Sequence, residues 1–197
     1  HGAIGVGASL GKWAETFYKI KAVSVIRNCR LYNQSYQSKQ LRKDLNLSSD
    51  DIIVIFSGSI YENANVAILI EVLAYLPKKF HVVLLGSIKQ EFSDSLKSKA
   101  ADKGVQNNFH ILSAKIPGEL IDYLSGADIG IIPRGRAPLN NLYSLPNKFF
   151  EFVMARLPIA VGRVPDMMEL VNDYGIGAVF NEEDPADIAK VLQEMAM

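Results

Sequence analysis

From residue 51 onward, short apolar runs alternate with segments whose apolar residues recur at helical spacing. Residues 51–56 (Asp-Ile-Ile-Val-Ile-Phe), 80–85 (Phe-His-Val-Val-Leu-Leu), 109–112, 128–132, 158–161 and 176–180 form the runs. Their length and β-branched content are those of buried strands. Between them, residues 64–75 carry Val66, Ile68, Leu69, Ile70, Val72 and Leu73 inward. Residues 90–103 make a polar helix stopped by Gly104, and 117–124 a helix whose first turn is preorganised by Pro117. Residues 146–156, 166–172 and 185–195 complete the series, the last with Ile188, Val191, Leu192 and Met195 on one face. Strands that are apolar throughout, rather than alternately, are covered on both faces, which is the mark of a parallel sheet between two helical layers. The predicted fold class is therefore α/β: a doubly wound, parallel, Rossmann-like sheet of about six strands. The loops after Phe56, Leu85, Leu112 and Ile132 should share one edge of it.

The first 48 residues follow a different pattern. Residues 3–6 and 22–26 read as strands and 10–18 as an amphipathic helix, whereas 33–40 is polar and turn-rich, the composition of a linker. The expectation is that residues 1–48 are the end of a preceding domain plus the connection, packing beside the main sheet. Residues 49–197 are then the ligand-binding domain, and the opening at His1 reads as a boundary within a longer chain.

Composition narrows the class without naming a function. The 197 residues are 49% hydrophobic and 21% charged, as in ordinary globular proteins. No apolar run approaches the roughly 20 residues of a membrane span, and no basic-then-apolar leader is present. A single cysteine, Cys29, excludes an internal disulfide and suits a reducing, cytoplasmic setting. Three scattered histidines suggest no metal site, and nothing points to nucleic acid. Residues 1–50 hold eight Lys/Arg against Glu15, Asp44 and Asp50, while from residue 164 eight acids face only Lys190. A basic end of this kind suits phospholipid headgroups at the inner membrane face, an acidic partner, or plain solvent.

Ligands of open α/β sheets bind at the carboxyl ends of the strands, where helix N-termini aim N–H groups outward. The loop Ser57-Gly58-Ser59 has residue types that let backbone approach an anion, but neither the P-loop lysine nor the dinucleotide glycine spacing. The loop over 133–145 is long and carries Arg134 and Arg136, and long loops in compact domains are functional or disordered. Pro146 then sets a helix entry, leaving the N–H groups of Asn147 and Lys148 to meet an anion. A lysine in a helix's first turn is electrostatically misplaced unless a bound anion reverses the sign. Glu151, one turn deeper on the same side, can accept two vicinal hydroxyls; alternatively Lys148 and Glu151 are a solvated helical pair.

The segment Ser144-Leu-Pro-Asn-Lys-Phe-Phe-Glu-Phe152, followed by Ala155-Arg-Leu-Pro-Ile159, resembles the group 1 family of retaining glycosyltransferases. Ile52–Gly58, Val83–Gly86, Ala127-Asp128-Ile129, Glu169 with Gly177, Asp184 with Ile188, and Val25-Ile-Arg-Asn28 fall in register with it. The resemblance implies the C-terminal, donor-binding half of a GT-B fold. It implies retaining transfer of a hexose from a nucleoside-diphosphate sugar to a glycan or lipid-linked acceptor held by the other domain, as in bacterial surface polysaccharide synthesis. Glu151 is then the ribose ligand, and Lys148 and the loop of Gly58 and Ser59 face the diphosphate, with Asn147 and Arg134 as further donor-binding candidates. Ser113 lies in the loop beside the base. No metal or other cofactor is implied, since helix dipole and cations can stabilise the departing diphosphate, and the fragment alone should be inactive. Tyr143 stands where many relatives carry a second glutamate, Arg156 where they have glycine, and Asn63 and Asn65 where a basic residue commonly meets phosphate. Competing readings are a non-catalytic regulatory or scaffold domain of the same fold, or a UDP-sugar epimerase.

Overall fold

All six apolar runs pair, and every pairing is parallel. The computed structural model describes residues 2–29, 38–135 and 139–197. The main sheet consists of β3 (Ile52–Ser57), β4 (Phe80–Leu85), β5 (Phe109–Leu112), β6 (Ile129–Ile132), β7 (Ile159–Val161) and β8 (Gly177–Val179), in the order β5-β4-β3-β6-β7-β8. The amino-terminal β1 (Ala3–Gly5) and β2 (Val23–Val25), joined by α1 (Ala8–Tyr18), form a separate two-stranded parallel sheet. The helices after β2 are α2 (Gln40–Asp44), α3 (Ile68–Leu73), α4 (Gln90–Asp102) and α5 (Pro117–Leu124). They are followed by α6 (Leu139–Leu142), α7 (Asn147–Met154), α8 (Pro165–Tyr174) and α9 (Pro185–Met195).

Successive strand residues point to opposite faces, and the core divides accordingly. Val54 and Phe56 of β3, with Val82 and Leu84 of β4, pack under α3, α4 and α9. Ile53 and Ile55, with Val83 and Leu85, pack under α2, α5, α7 and α8. Gly130 of β6 faces Phe152 of α7, where a Cβ would lie 2.5 Å from the ring, so the aromatic side chain lies directly on the strand.

Three local departures from the sequence pattern have physical causes. The helix expected over 64–75 is shortened to Ile68–Leu73, because Asn65 takes a left-handed φ of 57° after a 3-10 turn at Glu62–Ala64. A short helix, α6, forms inside the stretch read as a long loop. Within the stretch read as linker, residues 33–37 lie outside the described residues, and Ser38 donates its backbone N–H to Ser125 Oγ at 3.2 Å. There α2 follows, with Leu41 fully buried in the lower core. Burying one leucine contributes about 1.5–3 kcal/mol, which lets tertiary contact hold a helix of five residues that would not form alone.

At the amino-terminal edge, Arg42 grips Asp128 with Nη2 at 2.7 and 2.6 Å from the two carboxylate oxygens. Asp128 also accepts the Ile53 N–H at 2.6 Å. This bidentate pair ties α2 to the start of β6 and the start of β3.

Candidate functional site

Between β3 and β6 the strand order reverses: the chain lays down β3, β4 and β5 outward on one side, then returns to add β6, β7 and β8 on the other. The loops leaving β3 and β6 therefore diverge, and a crevice opens above the sheet at that point. Its floor is made by two glycines. Gly58 takes φ of +102°, and its N–H donates to Leu85 O at 2.9 Å. A Cβ on Gly86, at the end of β4, would overlap the Gly58 carbonyl. Ser57, the last residue of β3, is fully buried and its Oγ has no hydrogen-bond partner among the described residues.

One wall is the N-terminus of α7, where Pro146 provides the cap position without a side-chain hydrogen bond. Lys148, in the first turn, crosses toward β3: its Nζ lies 3.4 Å from the Phe56 ring centroid and 3.5 Å from where a Gly58 Cβ would stand. The expected juxtaposition of Lys148 with the Gly58 loop is present. Desolvation by the packed surroundings, followed by repulsion from Arg134, holds the Lys148 ammonium well below its ordinary pKa, against the opposing pull of Glu151. Glu151 lies one turn further along the helix, as the spacing predicts, but not on the solvated surface that the reading of a helical pair required. It is 7% exposed, buried rather than open to solvent, and its charge is coupled to Lys148. The reason is the helix's apolar face, on which Phe149 and Phe152 flank it in the core.

The other wall comes from the exit of β6. Arg134 donates from Nη2 to Tyr61 OH at 2.6 Å, joining the two diverging loops across the crevice. Its backbone is fixed from behind. A Cβ on Gly162 would stand 2.5 Å from Arg134 O, and Asn65 Nδ2 donates to Pro133 O at 2.9 Å and to Glu182 O at 3.0 Å. Asn65, which sequence placed near a phosphate, thus spends its amide on holding the Arg134 loop. Glu182 is 4% exposed. Burial alone would raise its pKa, but the Arg163 N–H and guanidinium more than offset this and lower it.

The remaining sequence candidates spread along the same edge. Asn147 is exposed on the first turn of α7. Ser59 is exposed and lines a neighbouring cavity of about 390 Å³ with Tyr61, Ser87 and Lys89. Ser113 is exposed at the end of β5, two strands from β3. Arg136 lies outside the described residues. Arg134 and Pro146 also line a cavity of about 450 Å³ with Trp13, Asn28 and Tyr143, in which the Trp13 and Tyr143 rings are 5.7 Å apart. A cavity of about 500 Å³ at the opposite edge, with Ser38, Lys43 and Arg42, is remote from this chemistry, and its Arg42 is already engaged by Asp128. Sequence reasoning missed Phe56, Tyr61 and Trp13, whose roles arise only from the fold. Among the described residues no group of three His, Cys, Asp or Glu side chains is placed to hold a metal ion, and no helix is long and apolar enough to cross a membrane.

Residues 37–196 match the profile of the family described as glycosyl transferases group 1. No curated protein sequence matches the chain significantly. Among solved structures it is similar to Alr3699/HepE of Anabaena in complex with UDP, with a TM-score of 0.82 and 18% identity, covering 98% of this chain and 53% of that one. It is also similar to WaaG, a glycosyltransferase involved in lipopolysaccharide biosynthesis (TM-score 0.70, 19% identity, 98% and 52% coverage). Sucrose-phosphate synthase of Thermosynechococcus elongatus gives a TM-score of 0.80 at 16% identity, with 99% and 49% coverage. The chain thus spans about half the length of these solved structures, and its architecture is that of one half of their GT-B fold.

Proposed function

Since the chain belongs to the group 1 glycosyl transferases, we propose that its crevice holds the nucleoside-diphosphate part of a sugar donor for retaining transfer of a hexose to a glycan or lipid-linked acceptor. The observation that carries this reading is the meeting of two cations, Lys148 and Arg134, over a floor of close-packed glycine backbone at the α7 N-terminus. Two positive side chains and an uncapped helix end in one crevice call for a compact, multiply charged anion. Gly58, exposed at the turn, lets that anion approach backbone closely, and Gly86 leaves room for the turn itself. Glu151, one turn further along α7, is the acceptor for ribose hydroxyls. The glycosyl group would extend toward the cavity walled by Trp13 and Tyr143, and the acceptor would come from the part of the protein beyond this half. The cations and the helix terminus can stabilise a departing diphosphate without a metal ion. The basic amino-terminal stretch would suit work at an anionic membrane face on surface polysaccharide.

Calorimetric titration with UDP and GDP, each beside its nucleoside, tests the reading. Lys148→Ala should weaken the diphosphate by roughly 10- to 100-fold, the value of a charge-assisted contact, and leave the nucleoside nearly unchanged. Glu151→Gln, with folding checked by circular dichroism, should weaken both. Equal affinities for the native chain and both variants would return α7 to a purely structural role.

A further inference from the structure

Arg134 is held at both ends by one loop. At its tip, Nη2 donates to Tyr61 OH at 2.6 Å. At its root, the carbonyl of the preceding residue, Pro133, accepts from Asn65 Nδ2 at 2.9 Å, and the same amide donates to Glu182 O at 3.0 Å. Tyr61 and Asn65 flank the 3-10 turn Glu62–Ala64 that follows β3, so both grips belong to the same short piece of chain. Behind the root, a Cβ on Gly135 would stand 3.1 Å from Glu182 Cγ, and one on Gly162 2.5 Å from Arg134 O. The Glu182 carboxylate is itself fixed by the Arg163 N–H at 3.0 Å. Asn65 thus ties together the stretches that follow β3, β6 and β8, the first two of which diverge where the strand order reverses.

Glycine would serve the left-handed φ of 57° at this position, so the turn alone does not explain an asparagine. Asparagine is among the few other residues that adopt this φ, and its amide has two donor hydrogens. Both are spent on carbonyls, which leaves no donor for a ligand. We propose that Asn65 is a positioning residue for the donor: it touches no part of the nucleotide, and by holding the Pro133 and Glu182 carbonyls it sets where the Arg134 guanidinium meets the diphosphate. The proposal rests on the donor-binding reading above. A guanidinium recognises phosphate oxygens by orientation as well as charge, because its donors form a rigid fork on a flexible stem. Without Asn65 the exit of β6 keeps its cation but loses its placement, and affinity falls although no contact with ligand has been removed. A nucleoside carries no phosphate for Arg134 and does not register the change.

The test is calorimetry of UDP and GDP, each beside its nucleoside, on the native chain, Asn65→Gly, Arg134→Ala and the double variant, with urea denaturation confirming that each folds. Glycine keeps the left-handed turn and removes only the bridge. Arg134→Ala should weaken the diphosphate by roughly 10- to 100-fold and Asn65→Gly by about 3- to 10-fold, with the nucleoside unchanged in both. Once Arg134 is alanine, Asn65→Gly should cost nothing further, since the group it positions is gone. Asn65→Asp, of the same shape but turning oxygens toward both carbonyls, should bind the diphosphate no better than Asn65→Gly. Undiminished diphosphate affinity in Asn65→Gly or in Arg134→Ala overturns the proposal and leaves the donor reading standing. So does a loss in Asn65→Gly that recurs in full without Arg134, or that extends equally to the nucleoside, because a merely structural role gives that result. If the native chain binds neither UDP nor GDP, the donor reading fails and the proposal fails with it.

Discussion

At Gly58 the backbone takes a φ that side-chain-bearing residues rarely adopt, whereas at Gly86 the restriction is one of space, because the Gly58 carbonyl occupies the place of a Cβ. The two substitutions should therefore differ in kind. Gly58→Ala strains one residue and costs about 1–3 kcal/mol, its methyl otherwise making ordinary contact with Lys148 at 3.5 Å. Gly86→Ala must push the whole Gly58 turn aside and should lose both stability and nucleotide affinity. Urea denaturation and UDP titration of the two variants check this, and equal affinity loss in both would contradict it. The turn itself was readable in Ser57-Gly58-Ser59, and the nearness of Lys148 to it followed from the family resemblance. What was not readable is the burial of Glu151, since a carboxylate at a helical position looks solvated until the face it shares with Phe149 and Phe152 is known. Ser57 is similar: a strand-end serine gives no sign that its hydroxyl will have no hydrogen-bond partner among the described residues.

Whole elements show where sequence patterns carry information. The strands of the main sheet fall within a residue or two of the apolar runs because continuous burial leaves no polar position to confuse the period. Helix α2 was invisible because Leu41, Leu45 and Leu47 are set among Arg42, Lys43, Asp44 and Asn46, and only their contact with the lower core reveals them. Helix α7 ends in a Schellman arrangement, with Leu157 N donating to Phe152 O and Arg156 N to Val153 O, both at 3.0 Å. The residue at the left-handed position of that motif is Arg156, φ 60°, where glycine is relaxed. Arg156→Gly should raise stability by about 1 kcal/mol, seen as a higher urea midpoint at unchanged m-value. On the opposite edge, β4 and β5 bring His81 Nδ1 within 3.1 Å of His110 Nε2. Burial, then the neighbouring His81, lowers the His110 pKa to about 4, and burial also lowers that of His81 despite Asp51. Both rings are neutral in the folded state and protonate more easily once unfolded. The stability they support is full above the unfolded pKa of about 6.5 and is lost as pH falls toward 4. For His110, partly open to solvent, this loss should be about 1–2 kcal/mol after screening. Chemical denaturation at a series of pH values should show a shallower acid slope for His110→Gln than for the native chain.

At the scale of the molecule, the two sheets are joined by a narrow polar contact. Ser9 donates its N–H to Asp166 Oδ1 at 3.0 Å and its hydroxyl to Oδ2 at 2.5 Å, and Asp166 is 4% exposed. Gly7 passes so close that a Cβ would overlap this carboxylate. Removing the acceptor leaves two donors unsatisfied at a part-buried contact, a cost of about 1–3 kcal/mol each at most. Asp166→Ala should thus loosen α1 and its strands while the six-stranded sheet persists. Limited proteolysis should then cut within residues 2–29 well before the remainder, and unchanged cleavage would show that apolar packing alone holds the contact.

The strand order has a further consequence, in time rather than in space. β3 is paired on one side with β4, its next strand in sequence, but on the other with β6, and the Ile53–Asp128 bond across that seam spans 75 residues. A ribosome adding about 5–20 residues per second leaves that side of β3 unpaired for roughly 4–15 s. During that interval the growing chain displays Ile-Ile-Val-Ile-Phe as an apolar open edge, the kind of surface that pairs with other chains. Truncation or a translational pause ahead of Ile129 would prolong it, so the demand on chaperones should be set by the rate at which residues 58–132 are synthesised.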